Sequence, residues 1–238
     1  MPPPAVSRPT GNHLLDRLPA AELTPLLESA KLVRFAPREE VDGLRWENQP
    51  VYFPTSGVYS LLLPMKTENP VEVGVVDSEG MLGIPVVLGM AENPVRAVAQ
   101  VGGACVRVPA ECFLKVLRSG NTALDALVRR FLAVSWQTGN QTIACNLRHS
   151  VRERTARWLL SVHDRADGDE FEVTQEILSG MVGASRQKVT VVAGELQSAG
   201  TITYQRGRMR VLDRPALEAA SCECYRVLRK AYDFLTAS

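Results

Sequence analysis

Residues 174–200 of this chain, TQEILSGMVGASRQKVTVVAGELQSAG, have the pattern of two short helices joined by a tight turn. Thr174 is a favourable N-cap for the first helix, and Ser185 is placed to cap the second. Gly183 falls where a left-handed residue is needed to end the first helix. Apolar residues recur three and four positions apart in both segments, and the inward-facing positions are Ile177, Leu178, Met181, Val182, Val189, Val192, Ala193 and Leu196. The pattern predicts a helix-turn-helix.

The exposed start of the second predicted helix has side chains that suit the edges of DNA bases. Arginine can donate two hydrogen bonds to guanine, glutamine can read adenine, and threonine or valine can contact the thymine methyl group. A serine and free backbone amides at a helix start can hold a phosphate. The predicted DNA-binding residues on the two helices are therefore Thr174, Ser185, Arg186, Gln187, Lys188 and Thr190, with Val191 exposed beside them.

A short β-hairpin is predicted directly after the second helix. Residues 201–205 and 208–212 are β-like, and Arg206-Gly207 between them suits a tight turn. Between residues 183 and 212 one acid, Glu195, stands against five basic residues, Arg186, Lys188, Arg206, Arg208 and Arg210, a local net charge of +4. The hairpin therefore predicts a basic wing, in which Arg206 and Arg208 contact phosphates.

The stretch from residue 31 to residue 110 has the composition of a small all-β domain. It holds eight glycines and eight prolines, which separate short β-rich pieces at Leu32–Phe35, Val51–Phe53, Val58–Leu63, Val71–Val76, Arg96–Val101 and Cys105–Val108. Short strands at near-regular spacing predict a β-barrel or jelly roll. An amphipathic helix is predicted before it, with Leu23, Leu26, Leu27 and Ala30 on one face.

A long helix is predicted between these two regions. Residues 121–147 contain no proline, and the apolar residues Leu124, Leu127, Phe131 and Val134 are spaced as a helix–helix seam requires. A helix of about 40 Å is longer than a small barrel needs for its own cover. We therefore predict that these four residues form a dimer interface. The alternative is that the helix lies on its own barrel.

With these elements assigned, the chain resembles the Crp/Fnr family of bacterial transcription regulators over nearly its whole length. The motif T-x-E-x₅-V-G-x-S-R-x₂-V is present as Thr174, Glu176, Val182, Gly183, Ser185, Arg186 and Val189. The stretches YFPTSGVYSLL at 52–62 and ACNLRHSVRERTARWLL at 144–160 are similar to one subgroup. The resemblance implies an α+β fold in which a β-roll similar to a cyclic-nucleotide-binding domain is followed by a long dimerisation helix and a winged helix-turn-helix. It also implies a homodimer that regulates transcription by reading a palindromic operator in double-stranded DNA, with RNA polymerase as a partner.

Two positions of the recognition segment depart from the family pattern. Gln187 stands where the family has glutamate, and Val191 stands where it has a second base-reading arginine. The operator is therefore expected to differ from the best-known half-site of the family.

The predicted effector pocket departs further. Members that bind cyclic AMP hold it with a glutamate, an arginine and a serine, and the chain retains the arginine as Arg96 but has Met81 and Ala97 in the other two places. Each lost polar partner of a buried ligand costs about 1–3 kcal/mol, which argues against cyclic AMP. An unknown small-molecule effector is expected near Gly80, Gly83, Arg96 and Thr138, unless Arg96 is only a surface or ion-paired residue.

No catalytic centre, metal site or cofactor is expected. Ser185 and Lys188 form an S-x-x-K pattern, but its companion motifs are absent, so an acyl-transfer enzyme is disfavoured. Cys222 and Cys224 are too close to form half of a zinc knuckle, and positions two apart on a helix do not share a face. The histidines, His13, His149 and His163, are scattered along the chain.

The expected domains are a disordered tail over 1–12, a β-roll over 13–120, the dimerisation helix over 121–147, the winged domain over 148–214 and one C-terminal helix over 215–238. The chain of 238 residues is 45% hydrophobic and 22% charged, typical of globular proteins. Without an export signal or an apolar run of about 18 residues, a cytoplasmic location and no membrane contact are expected. The alternative function is a β-roll signalling or scaffold module whose helix-turn-helix is purely structural.

Overall fold

The computed structural model describes residues 9–41, 49–66, 70–90, 92–120, 122–166 and 168–236. The helices are α1 (Ala20–Glu28), α2 (Ile84–Leu88), α3 (Ala110–Leu117), α4 (Ala123–Arg148), α5 (Val151–His163), α6 (Gln175–Val182), α7 (Arg186–Ser198), α8 (Arg214–Ala220) and α9 (Cys224–Thr236). The strands are β1 (Lys31–Phe35), β2 (Val51–Pro54), β3 (Val58–Leu63), β4 (Val71–Val76), β5 (Arg96–Val101), β6 (Gly103–Val108), β7 (Glu170–Glu172), β8 (Ile202–Gln205) and β9 (Arg208–Val211).

The first six strands form the β-roll, in two antiparallel sheets of order β1-β6-β2 and β4-β3-β5. All six predicted strands are present within two residues of their expected ends. Tyr59 and Phe53 are among the largest fully buried side chains, so the core lies between the sheets. The α+β fold, with a β-roll similar to a cyclic-nucleotide-binding domain, is confirmed.

The predicted disordered tail, residues 1–12, extends too far along the chain. Residues 1–8 lie outside the described residues, but Asn12 is fully buried. Its side-chain amide donates to the carbonyl oxygens of Pro54 at 2.8 Å and Gly80 at 2.9 Å. Asn12 thus joins β2 to the loop after β4, and the folded region begins before residue 13.

Helix α4 lies on the β-roll of its own chain through the residues predicted as the dimer seam. Leu124, Phe131 and Val134 are only 2–3% exposed and belong to the β-roll core, and Leu127 is partly buried against it. A Cβ built on Gly80 would come within 2.7 Å of the Phe131 ring, so glycine is needed for this close approach. The predicted seam is wrong because its apolar spacing serves the internal core.

The second half of the chain has a core of its own. Helices α5, α6 and α7 pack with the sheet β7-β9-β8 and with α8 around residues such as Leu159, Leu196 and Met209. The C-terminal stretch is two helices and not the single helix predicted over 215–238. Asp213 caps α8, and the extended backbone of Ser221 ends it before α9 begins. Along the described parts of the chain, no helix has the length and apolarity that a membrane crossing requires.

The two halves meet through a buried polar cluster. Ser60 of β3 and the indole Nε1 of Trp158 on α5 both donate hydrogen bonds to the Glu72 carboxylate of β4, at 2.5 and 3.1 Å. Beside them Arg165 pairs with Asp77. These bonds hold α5, and hence the helix-turn-helix, against the β-roll.

Candidate nucleic-acid interface

The helix-turn-helix has the caps that its sequence predicts. Thr174 Oγ1 accepts a hydrogen bond from the Ile177 amide at 3.2 Å, and Ser185 Oγ accepts from the Lys188 amide at 3.4 Å. Gly183 has a left-handed φ of 59°, which ends α6 and lets the chain turn into α7. The two caps therefore fix where both helices begin, and the start of α7 is left open to solvent.

The buried and exposed sides of α7 are those that the sequence predicts. Val189, Val192, Ala193 and Leu196 are buried, as are Leu178, Met181 and Val182 of α6, while Ile177 is partly buried. Of the predicted base-reading residues, Arg186, Gln187, Lys188 and Val191 are exposed. A surface helix with this division can place its first turn against a DNA groove.

The hydroxyl group of Thr190 is not free for the base contact that the sequence predicts. Its hydroxyl lies 2.9 Å from the side-chain oxygen of Gln175 and 2.9 Å from the carbonyl oxygen of Arg186. The hydroxyl proton is therefore used inside the protein, and the methyl group is the part of Thr190 that suits a base contact. Gln175, the first residue of α6, was missed because the sequence does not show that α6 begins beside Thr190.

The wing is present as an antiparallel hairpin of β8 and β9. Arg206 and Gly207 have positive φ angles of 51° and 82°, as tight hairpin turns with a right-handed strand twist require. The Arg206 side chain is exposed at the tip. The hairpin thus carries a cation away from the body of the domain.

The positive charge of the wing is weaker than the net charge of +4 counted over residues 183–212 predicts. Strand β7, Glu170–Glu172, pairs antiparallel with β9 beside the wing. Arg208 lies 3.6 Å from Glu170 and 3.8 Å from Glu172, and both acids fall outside the segment that was summed. Arg206 is therefore the better candidate for a phosphate contact.

A groove of about 410 Å³ lies between the start of α7, the wing and the β-roll. Three arginines line it: Arg186 from α7, Arg206 from the wing and Arg38 from the loop after β1. Burial raises the pKa of Tyr204, on the same groove, above its ordinary value. Arg38 has a left-handed φ of 72° and carried no motif that pointed to this site. The groove is suited to anionic oxygens because three cations converge there from three elements, beside the carboxylate of Glu172.

The predicted effector residues lie in different surroundings. Arg96 is ion-paired with Glu40, which is the alternative considered for it, and Gly80 lies under Phe131. Thr138 lines a separate cavity of about 520 Å³ between the β-roll, α4, α5 and α9. Gly80, Gly83 and Arg96 are not among the described residues that line this cavity.

The prediction that Cys222 and Cys224 do not share a face also needs correction. His149 Nδ1 lies 3.6 Å from Cys224 Sγ, and Cys145 Sγ lies 3.5 Å from Cys222 Sγ. The face argument failed because Cys222 lies before the first residue of α9, so the two cysteines are not two apart on one helix.

Comparison with known proteins agrees with this geometry. Residues 153–220 match the Crp-like helix-turn-helix domain family. A CRP-family transcriptional regulator from Thermus thermophilus is 21% identical with a TM-score of 0.68, over 79% of this chain and 96% of that one. FixK2 from Bradyrhizobium japonicum is 14% identical with a TM-score of 0.67, over 81% and 98%.

A third similar structure is that of the global regulator CLP from Xanthomonas campestris. It is 16% identical to this chain with a TM-score of 0.65, over 81% of this chain and 99% of that one. No curated protein matches the chain in sequence. The expected resemblance to the Crp/Fnr family is confirmed.

Proposed function

We propose that this chain is a DNA-binding transcription regulator of the Crp/Fnr type, which acts as a homodimer and reads an imperfect palindrome through α7. The observation that carries this proposal is the exposed first turn of α7 beside the wing. Arg186, Gln187 and Lys188 face solvent there, and Arg206 extends from the neighbouring hairpin tip. The three side chains of α7 suit base edges, and Arg206 suits a phosphate.

The second copy binds along the exposed side of α4. Three large apolar side chains there are exposed: Trp136 at 73%, Ile143 at 61% and Leu147 at 78%. With Ala133 and Asn140 they form a run spaced alternately three and four residues apart, the spacing of a two-helix seam. Trp136 and its neighbours replace the seam first predicted, since that one packs on the β-roll.

In the dimer, the two α7 helices would enter successive major grooves of one DNA face. Half-site centres are then expected about 34 Å apart. Arg186 would contact guanine, Gln187 would contact adenine, and Thr190 and Val191 would offer methyl groups to thymine. Thr174 and Ser185 lie at helix starts, where the Ser185 hydroxyl would donate to a phosphate oxygen beside the free backbone amides.

Regulation is proposed to occur through the domain junction and without enzymatic chemistry. The junction cavity lined by Thr138 is polar, with Glu72 and Arg165 on its walls, and the unknown effector would bind there. The regulator CLP, which has this fold, responds to c-di-GMP. The DNA-bound dimer would act in the cytoplasm on RNA polymerase.

Selection from a random pool of duplexes with the purified full chain tests the proposal. We expect enrichment of an inverted repeat, and we expect Arg186→Ala to relax one position of each half-site. The same selection is repeated with cell extract, so that a required effector is supplied. Failure of the wild type to enrich any sequence under both conditions would support the alternative, a β-roll module with a structural helix-turn-helix.

A further inference from the structure

Four side chains that carry metal-ligating atoms converge where α4 ends and α9 begins. They form a cluster, here called the Cys₃His cluster, made of Cys145, His149, Cys222 and Cys224. The three cysteines are buried, and the imidazole is largely covered with 16% of the side chain exposed. One thiol or imidazole nitrogen from each residue lies within 4.8 Å of all the others.

The distances between the ligating atoms match those expected around one tetrahedrally coordinated ion. A Zn²⁺ ion with Zn–S bonds of about 2.3 Å has neighbouring sulfurs about 3.8 Å apart. The Sγ atoms of Cys145 and Cys222 are 3.5 Å apart, and the distance from Cys224 Sγ to His149 Nδ1 is 3.6 Å. The cluster thus has the spacing of ligands around a single ion.

The backbone explains how the four residues meet. Cys145 and His149 are one helical turn apart at the end of α4, so they share a face. Ser221 ends α8 in an extended conformation, and the turn that follows places Cys222 and Cys224 on either side of the start of α9. The C-x₃-H pattern at the end of α4 and the C-x-C pattern at the start of α9 therefore form one site.

Two polar side chains lie beside the ligand atoms of the cluster. The second imidazole nitrogen of His149, Nε2, lies 3.2 Å from the Glu223 carboxylate, which leaves Nδ1 facing the thiols. Metal-binding histidines generally pair their other nitrogen with a carboxylate or carbonyl in this way. The Gln141 amide also donates to Cys224 Sγ at 3.0 Å. Both contacts are compatible with a metal ion at the centre of the cluster.

Two buried arginine side chains lie near the cluster. Arg154 and Arg157 of α5 are buried and interact electrostatically with Cys145. The Nε of each arginine has no hydrogen-bond partner among the described residues. Three thiolates around a divalent ion leave one net negative charge, which these cations would stabilise.

We propose that the Cys₃His cluster binds one Zn²⁺ ion that ties the end of α4 to the start of α9. Three thiols release their protons to solvent, and three Zn–S bonds and one Zn–N bond to neutral imidazole form. A full set of four protein ligands is typical of structural zinc and leaves no open position for catalysis. Zn²⁺ therefore braces the junction between the long helix and the C-terminal helices.

The first test is the metal content of the full chain, purified without chelators from zinc-supplemented cells. Mass spectrometry of the elements is expected to find one zinc per protomer. Cys222→Ser and His149→Gln should lose that zinc, while Cys112→Ser, which changes a partly buried cysteine of α3, should retain it. Absence of metal, equal zinc in all four proteins, or iron or copper in place of zinc would overturn the proposal.

Cobalt substitution of the wild type tests the geometry without relying on a variant that folds. Co²⁺ in the Cys₃His cluster should give the intense visible absorption of a tetrahedral site and sulfur-to-cobalt charge-transfer bands. The weak spectrum of octahedral cobalt would contradict the assignment. So would a Cys145–Cys222 disulfide found by peptide mapping in the freshly purified, unreduced protein.

Discussion

The indole Nε1 of Trp158 donates a hydrogen bond of 3.1 Å to the buried carboxylate of Glu72, and so joins α5 of the DNA-binding half to β4 of the β-roll. Burial raises the pKa of Glu72 from 4.5 to about 7, while the bond from Ser60, the charge of Arg157 and the bond from Trp158 act against that rise. The domain junction therefore contains a carboxyl group that titrates near neutral pH.

Glu72→Gln should remove part of the pH dependence of stability. Because the folded pKa lies above the unfolded one, Glu72 adds stability that is complete below pH 4.5 and is lost as pH rises through 7. A shift of this size corresponds to about 3 kcal/mol of unfolding free energy, and glutamine keeps hydrogen-bonding atoms for Ser60 and Trp158. Urea unfolding at pH 5 and pH 8 should show a smaller difference in the variant.

The exposed Glu111→Gln is the matched control and should keep the pH dependence of the wild type. If Glu72→Gln and the wild type lose the same stability between the two pH values, Glu72 is not the titrating group. In that case the pH dependence of stability would arise from another residue.

Arg186→Ala should weaken binding to the selected operator by about 1–3 kcal/mol, because one guanine loses two hydrogen bonds. Discrimination at that base pair should fall as well. Fluorescence anisotropy with the operator and with single-base variants at fixed salt measures both effects. Lys115→Ala, which removes an exposed charge from α3, should bind like the wild type, and unchanged binding by Arg186→Ala would refute the placement of α7 in the groove.

Arg206→Gln should weaken binding to all duplexes alike and reduce the slope of log affinity against log salt by about 1. Arg208→Gln removes the same charge but should have a smaller effect, because Arg208 already interacts with Glu170 and Glu172. Binding titrations at several salt concentrations compare the two variants. Equal slopes for the two would mean that the pairs with β7 open on DNA.

Ile143→Glu should convert the dimer to monomers, since it places a charge in the proposed α4 seam. Light scattering after size exclusion measures the mass. Phe131→Ala is the contrasting change: it should cost about 3–5 kcal/mol of unfolding free energy, because the ring fills the β-roll core over Gly80, and should leave the dimer intact. A monomeric but fully stable Phe131→Ala would restore the seam that spacing alone suggested.

Local patterns were enough for the helix-turn-helix and the wing hairpin. The caps at Thr174 and Ser185, the turn at Gly183 and the hairpin at Arg206-Gly207 depend on residues a few positions apart, so the sequence predicts them directly. The strands of the β-roll were predicted for the same reason. Arg38 could not be assigned to the groove because a distant loop brings it there.

By itself the sequence determined the β-roll strands, the helix-turn-helix and the wing hairpin, the exposed and buried sides of α7, and the family likeness, since each rests on short-range spacing and side-chain chemistry. Tertiary structure decided which side of α4 faces the β-roll, because an apolar spacing is the same for an internal core and a partner helix. It also decided that Cys145 meets Cys222, 77 residues away, since that contact depends on how the ends of two helices pack.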